Sequence, residues 1–383
     1  MTTLARTHVA ARRNVPPFDY ILVVATLMVS AIGVIMVYTA TRGALLAQGE
    51  DPKTFLKKQG VFVVLGVITM VVIAVIDYRR WEPLANILYW LIVLSLLGVF
   101  VVGSSAQGAA RWFSLGPLQI QPSEFAVLAL ILAIASYCAR RDEEGLAWRD
   151  VFRLLIMAGI PILLVLVQPD LGTAMVMVIV LLIMLAVAGL PIRILVMLLV
   201  GTALVVLVAV ESGMLHHYQI ARLTAFLNPS THSNNPYVQS AIYNKTQAEN
   251  AIGSGGIFGS GIGHGAQTNL GYVPEQQTDF IFTAVAEQMG FVGSVGVLAL
   301  LGVVAWRVLR AGTHSRDAFG RLVCTGLFAF IAFSVFQNAG MTMGIMPITG
   351  IPLPFVSYGG TAVLVFFSAI GFALSVGARR RRI

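Results

Sequence analysis

Apolar stretches of membrane-spanning length, separated mostly by short polar connections, fill this chain from residue 19 onward. Ten can be read, at about residues 19–39, 59–76, 84–103, 122–138, 152–167, 171–189, 193–211, 279–306, 320–344 and 359–377. A helix needs about 20 mainly apolar residues to cross a bilayer. The pattern therefore predicts an all-α polytopic membrane protein of about ten transmembrane helices. One connection, residues 212–278, is far longer than the usual loop and falls between helices 7 and 8. It carries Tyr218, Arg222, Phe226, Tyr237, Ile242 and Ile252, which predicts partial order, with short helices lying on the membrane surface.

Composition agrees: 57% of residues are hydrophobic and 11% charged, with a mean hydropathy of +0.85. That is far below the roughly 25% charge of a soluble domain. The organisation predicted is a basic segment 1–18, one membrane domain 19–377 and a basic tail 378–383, with no soluble domain long enough to fold alone. Charge sets the orientation, because Lys and Arg favour the cytoplasmic side. Arg6, Arg12, Arg13, Arg79, Arg80, Arg140, Arg141, Arg149, Arg153, Arg193, Arg307, Arg310, Arg316, Arg321 and Arg379 to Arg382, eighteen of the 25 basic residues, share one side. Both termini are then cytoplasmic, and residues 212–278 lie outside. The net charge of +8 follows from topology and contact with anionic membrane lipids, and needs no nucleic-acid partner. The first apolar run is too long for a cleavable signal and reads as an uncleaved span. Cys138 and Cys324 fall near cytoplasmic helix ends and are expected to be free thiols.

Candidate chemistry gathers at the outer helix ends. Asp279 stands where the long polar loop turns into an apolar helix, and a carboxylate near hydrocarbon usually stays there for function. Its structural alternative is a helix cap supplied by Thr278 or Asp279. Gln121-Pro122-Ser123-Glu124-Phe125 opens the fourth run, Gln168-Pro169-Asp170 divides the fifth from the sixth, and a Pro- and Gly-rich passage leads to Ser357-Tyr358-Gly359-Gly360. Broken backbone at membrane depth is tolerated where it lines an enclosed or watery cavity, so these breaks predict one outward-opening cavity. Glu124, Asp170 and Asp279 are its candidate acids and Arg111 its nearest cation. Capping serves equally for Ser123, Glu124 and Asp170; snorkelling serves for Arg111, and an interfacial belt for Trp112. Glu287 lies roughly 12 Å deeper along the helix than Asp279 and reads as structural or coupling. His216 and His217 lack metal-ligand spacing and read as loop surface. The glycine-rich run 253–265 lacks the Gly-Lys-Ser/Thr of a phosphate loop, so no nucleotide is expected; its glycines allow tight turns or close approach to a ligand.

Taken together, these motifs resemble the SEDS family, the RodA and FtsW polytopic glycosyltransferases of bacterial cell-wall synthesis. The resemblance is carried by Ala110-Arg111-Trp112 with Gln121 to Ala126, Gln168 to Thr173, Val273-Pro274-Glu275 with Thr278 to Phe282, and Gly350 to Gly360. The Gly350-Ile351-Pro352-Leu353-Pro354 and Gln168-Pro169-Asp170-Leu171 segments are similar to RodA more than to FtsW. Val127 stands where the family pattern has Lys, and Gln288 where a second Glu is common. The resemblance implies polymerisation of lipid II into glycan strands at the outer face of the cytoplasmic membrane, with inversion and release of undecaprenyl pyrophosphate. Asp279 matches the family's essential aspartate, implied to deprotonate the acceptor 4-hydroxyl. The substrate-binding set implied around it is Arg111, Trp112, Gln121, Ser123, Glu124, Gln168, Asp170, Arg222, Glu275, Thr278 and Ser357. A divalent cation, magnesium or manganese, is a possible cofactor, and the partners implied are lipid II, the nascent glycan strand and a class B penicillin-binding protein. Two other readings stay open: a lipid II flippase, which the near absence of acids from the cytoplasmic half argues against, and a non-catalytic scaffold for the transpeptidase.

Overall fold

The computed structural model describes residues 18–106, 109–115, 118–141, 145–211, 217–228 and 234–379. The predicted basic segment before Phe18, the tail beyond Arg379, Gly116 and His216 lie outside the described residues. Each of the ten apolar runs lies in a helix: α1 (Tyr20–Ala47), α2 (Thr54–Val75), α3 (Ala85–Val102), α4 (Pro122–Ala139), α5 (Trp148–Val167), α6 (Leu171–Val187), α7 (Ile192–Glu211), α11 (Ile281–Thr313), α12 (Ala318–Thr342) and α13 (Gly360–Ala378). Seven of these are long and apolar enough by themselves to cross a membrane, and α3, α6 and α7 supply shorter apolar helices. The protein is a multi-pass membrane protein.

The bundle has a centre and a rim. In α13, 83% of the apolar window is buried, against 22% in α2, which packs on it from the lipid side. The central α12 packs against α11, α6, α4 and α13, and Ile131, Ile134, Phe366 and Phe367 fill the core between them. Small residues let backbones meet: a Cβ on Gly33 of α1 would lie 2.6 Å from Phe355 O. Close approach of this kind drives helix association where lipid is as apolar as the interface.

Two features depart from the expectation. Between α3 and α4 the chain forms a small antiparallel meander of β1 (Ser104–Ala106), β2 (Ala109–Leu115) and β3 (Leu118–Ile120). The strands satisfy one another's backbone groups at the membrane edge, where an open loop would leave them bare. The long connection is also more than a loop with partial order. Its α8 (His217–Leu227), α9 (Pro236–Ser254) and short α10 (Ala266–Asn269) pack on protein, α9 against α8, α11 and α12. A second small core of Ala248, Ala251, Val273, Phe280, Met341 and Ile348 fastens this cap to the bundle.

The glycine-rich run explains itself here. Helix α11 breaks at Gly290 (φ +66°), nine residues and roughly 13 Å from its start. The groups freed by the break are taken up by residues 256–261. Ser260 N and Gly261 N donate to Glu287 O and Gln288 O at 2.9 and 3.1 Å, while Phe291 N and Val292 N donate to Gly256 O and Ile257 O at 2.9 and 3.1 Å. A Cβ on Gly290 would lie 2.3 Å from Gly259 N, and one on Gly255 2.0 Å from Ala286 O. The close approach of Gly255 and Gly259 is therefore to the protein's own helix. Gly290→Ala should destabilise the folded protein by about 2–4 kcal/mol, since it combines a left-handed backbone with a backbone clash. Gly271→Ala, also at φ +66° but in open space, should cost only about 1 kcal/mol. Thermal midpoints in detergent measure the difference.

Candidate functional site

Where α5 gives way to α6, Asp170 caps the new helix. Its carboxylate accepts from Thr173 N at 3.1 Å and Thr173 Oγ1 at 2.8 Å. It also accepts from Gln121 Nε2 at 3.0 Å and Ser123 Oγ at 3.1 Å, which ties the start of α4 to the start of α6. The capping alternative thus describes Asp170, whose oxygens are occupied by four donors. Thr361 Oγ1 adds the meander to this knot, accepting from Gln121 N at 3.1 Å and donating to Gln119 O at 3.0 Å.

Arg111, on β2, does not snorkel outward. Its Nε donates to Gln168 O at 2.8 Å and its Nη2 to Pro169 O at 2.7 Å and Tyr218 Oη at 3.0 Å. A guanidinium at the carbonyl end of α5 is where a cation is favoured. Tyr218 also donates to Pro169 O, so α8 docks on the α5–α6 turn. Gln168 points inward, its Nε2 donating to Leu96 O at 2.9 Å. Trp112, beside Arg111 on β2, is half-buried.

Asp279 occupies the turn ahead of α11 and does not cap it; the cap position is Phe280, without a side-chain hydrogen bond. Thr278 Oγ1 donates back to Glu275 O at 3.1 Å, and Glu275 lies exposed on the rim. The turn is held from behind. Asn338 Nδ2 donates to Asp279 O at 2.8 Å and to Ile351 O at 2.7 Å, and Ser357 Oγ donates to Thr278 O at 2.6 Å while accepting from Leu353 N at 2.8 Å. Tyr358 N donates to Gln277 O at 2.8 Å. A Cβ on Gly350 would lie 3.0 Å from Asp279 Oδ2 and 3.7 Å from Arg222 Nη1, so glycine there (φ +79°) lets carboxylate and guanidinium converge. Burial pushes the Asp279 carboxyl up to about 6; Arg222 opposes this most strongly, and Glu275 and Asp170 reinforce it. Glu124 lies within electrostatic reach of Asp170 and Asp279, and its buried Oε2 has no hydrogen-bond partner.

The structure therefore gathers Glu124, Asp170, Asp279, Arg111, Arg222, Gln121 and Ser123 at one end of the bundle. It turns Gln168 and Ser357 toward the scaffold and leaves Thr278, its hydroxyl on Glu275, and Glu275 itself at the edge. Asn338 and Gln59, whose Nε2 donates to Ser357 O at 3.1 Å, hold the site together and were not singled out in the sequence. A buried amide in an apolar run was the available signal. Among the described residues no group of three or more His, Cys, Asp and Glu is arranged to hold a metal.

The opposite face carries acids too, which corrects the expectation that this half is nearly free of them. Asp19 pairs with Arg307 at 2.7 Å, Asp317 with Arg79 at 2.9 Å, Asp150 with Arg141 at 2.7 Å and Asp77 with Arg379 at 3.3 Å.

Fold and site define a polytopic helical membrane protein with an acid and arginine cluster beneath a helical cap. The FtsW/RodA/SpoVE family profile, described as "Cell cycle protein", matches residues 19–382. The chain is 36% identical over 369 residues to stage V sporulation protein E of Bacillus subtilis, covering 95% of this chain and 98% of that one. It is 35% identical to the peptidoglycan glycosyltransferase MrdB of Escherichia coli K12, over 88% of each chain. A solved peptidoglycan synthase complex coordinating polymerization and crosslinking contains a chain that superposes with a TM-score of 0.77 at 31% identity, covering 94% of this chain and 97% of that one. RodA of Thermus thermophilus superposes at 0.70 with 29% identity, over 96% and 98%. The chain belongs to the SEDS family of peptidoglycan glycosyltransferases.

Asn338→Ala leaves the carbonyls of Asp279 and Ile351 without their donor, so it should destabilise the protein by about 2–4 kcal/mol. A thermal midpoint lowered by several degrees in detergent checks this.

Proposed function

We propose that this protein is a RodA-like polymerase. It joins lipid II units into glycan strands at the outer leaflet of the bacterial cytoplasmic membrane during cell elongation. In this reading the ten apolar helices all span, both termini are cytoplasmic, and the acid and arginine cluster opens outward. The observation that carries it is the contrast between two aspartates. Asp170 has its oxygens engaged by four donors, whereas the Asp279 carboxylate lies at a half-buried turn within electrostatic reach of Arg222 and has a proton affinity near that of a useful general base.

Asp279 takes the proton from the acceptor sugar's 4-hydroxyl as that oxygen attacks the anomeric carbon of the donor. The new C–O bond forms as the bond to the lipid pyrophosphate breaks, with inversion, and the electron pair leaves on undecaprenyl pyrophosphate. Since pyrophosphate is already a good leaving group, no second carboxyl is needed as acid, unlike glycoside hydrolysis. Arg222 and the edge of Arg111 supply positive charge where the phosphates sit, Gln121, Glu124, Trp112 and Glu275 line the approach, and the buried Ser123 holds Asp170 in place. Gln168, Asp170, Thr278 and Ser357 act by fixing the loops that carry these groups. Magnesium or manganese, when bound, would neutralise pyrophosphate. Both Asp170 oxygens are already engaged and no three-acid ligand group is built among the described residues, so the donor set described does not fit a resident cation, and no step is routed through one.

Likeness to a chain of a polymerization and crosslinking complex supports a class B penicillin-binding protein as partner. Transport of lipid II is less well supported, because the acids described at the opposite helix ends are paired with arginines.

Asp279→Asn should abolish strand formation from fluorescent lipid II on a gel while the protein still folds and co-purifies with its partner; undiminished polymer would refute the assignment. Wild-type activity should fall as pH drops through about 6, because the base protonates. Arg222→Gln removes the cation that favours the carboxylate, so the acid limb should move to higher pH.

A further inference from the structure

The sequence marked Glu287 as structural or coupling, and the mechanism above does not use it. Its carboxyl oxygens accept from Gln267 N at 2.7 Å, Thr268 N at 2.9 Å and Thr268 Oγ1 at 2.5 Å. A hydroxyl has one hydrogen to donate, and Thr268 donates it to Glu287. Toward Gln276 it can then only accept, which it does from Gln276 Nε2 at 3.1 Å. The second hydrogen of that amide goes to Thr283 Oγ1 at 3.0 Å, and Thr283 in turn donates to Phe280 O at 2.7 Å. Gln276 and Phe280 bracket Asp279 on either side. Glu287, Thr268, Gln276 and Thr283 are all between 0 and 2% exposed, so none of them touches substrate.

We propose that Glu287 is a positioning residue for Asp279, acting through a buried polar rod of Thr268, Gln276 and Thr283. The acceptor-only carboxylate at the root fixes the direction of every donor above it, which orients the amide of Gln276 and so the two flanks of the catalytic turn. Glu287 also belongs to the seam where residues 256–261 close the break in α11, since its carbonyl accepts from Ser260 N. The rod thus joins that seam to the turn. A network of this kind acts as a unit, so its members should fail together.

The proposal rests on Asp279 being the base, and the test separates the two. Full-length protein, co-purified with its penicillin-binding partner and reconstituted in liposomes, is assayed with fluorescent lipid II across pH as wild type, Thr268→Val, Thr268→Ser, Glu287→Gln, the Thr268→Val/Glu287→Gln double variant and Asp279→Asn. Thr268→Val keeps shape and deletes the relay. It should lower kcat at least about tenfold with KM little changed, and move the acid limb to higher pH as the turn slips from Arg222. Thr268→Ser should restore both, and the double variant should be no worse than the singles. Wild-type kcat and pH profile in Thr268→Val, or a loss that follows a fall in thermal midpoint with the pH limb unmoved, would overturn the rod while leaving Asp279 as base. An active Asp279→Asn protein would instead overturn the reading beneath it.

Discussion

Hydrocarbon offers no hydrogen-bond partner, so each break in an apolar helix of this protein has to be closed by another part of the same chain. The turn between α5 and α6 is closed by Arg111 from the meander and Tyr218 from the cap. The turn ahead of α11 is closed by Asn338 of α12 and by Ser357 and Tyr358 ahead of α13. The break at Gly290 is closed by a glycine-rich passage some thirty residues earlier. In each case the closing groups come from a segment distant in the chain, so the breaks that create a polar site also bind the bundle together. Rigidity and chemistry share the same residues.

The electrostatics follow from this division of labour. Arg111 gives three of its N–H donors to two backbone carbonyls and a tyrosine, and Arg222 is the cation acting most strongly on Asp279. Arg222 rides on α8, within the connection between α7 and α11, and not on a membrane helix. The cap therefore moderates a proton affinity that burial raises. Residues 217–228 and 234–254 belong to the site as much as the bundle does, since α8 carries Arg222 and α9 packs on α8.

The helices could be read from the chain because each apolar run is long enough to announce itself, and the candidate acids because carboxylates near hydrocarbon are rare. Packing partners could not. In lipid the outward face of a helix is as apolar as the inward one, so nothing along α2 or α13 says which is rim and which is centre. The meander escaped notice because its strands are three to seven residues long and rich in Ala and Ser. The glycine-rich run was legible as a place of close approach, but a ligand and a broken helix make the same demand on a backbone. Arg111 and Ser357 were legible as polar residues at the right end; that their polar atoms face the scaffold depends on contacts made some 57 and 79 residues away.

The difference between a structural and a chemical acid in this protein lies in what surrounds the carboxylate, since residue type and helix position are shared. Asp19, Asp317 and Asp170 all stand at helix starts and accept a backbone N–H of the first turn. Each is then completed by further donors, two of them by an arginine, and such partly exposed pairs contribute little beyond fixing an end. Asp279 stands one residue short of the cap position, so the first turn of α11 makes no claim on its oxygens. Asn338 takes its carbonyl and leaves the side chain for Gly350 and Arg222. Moving the acid a single residue toward the helix would convert it into a satisfied cap. Its displacement from that position is what leaves the carboxylate uncapped by the helix.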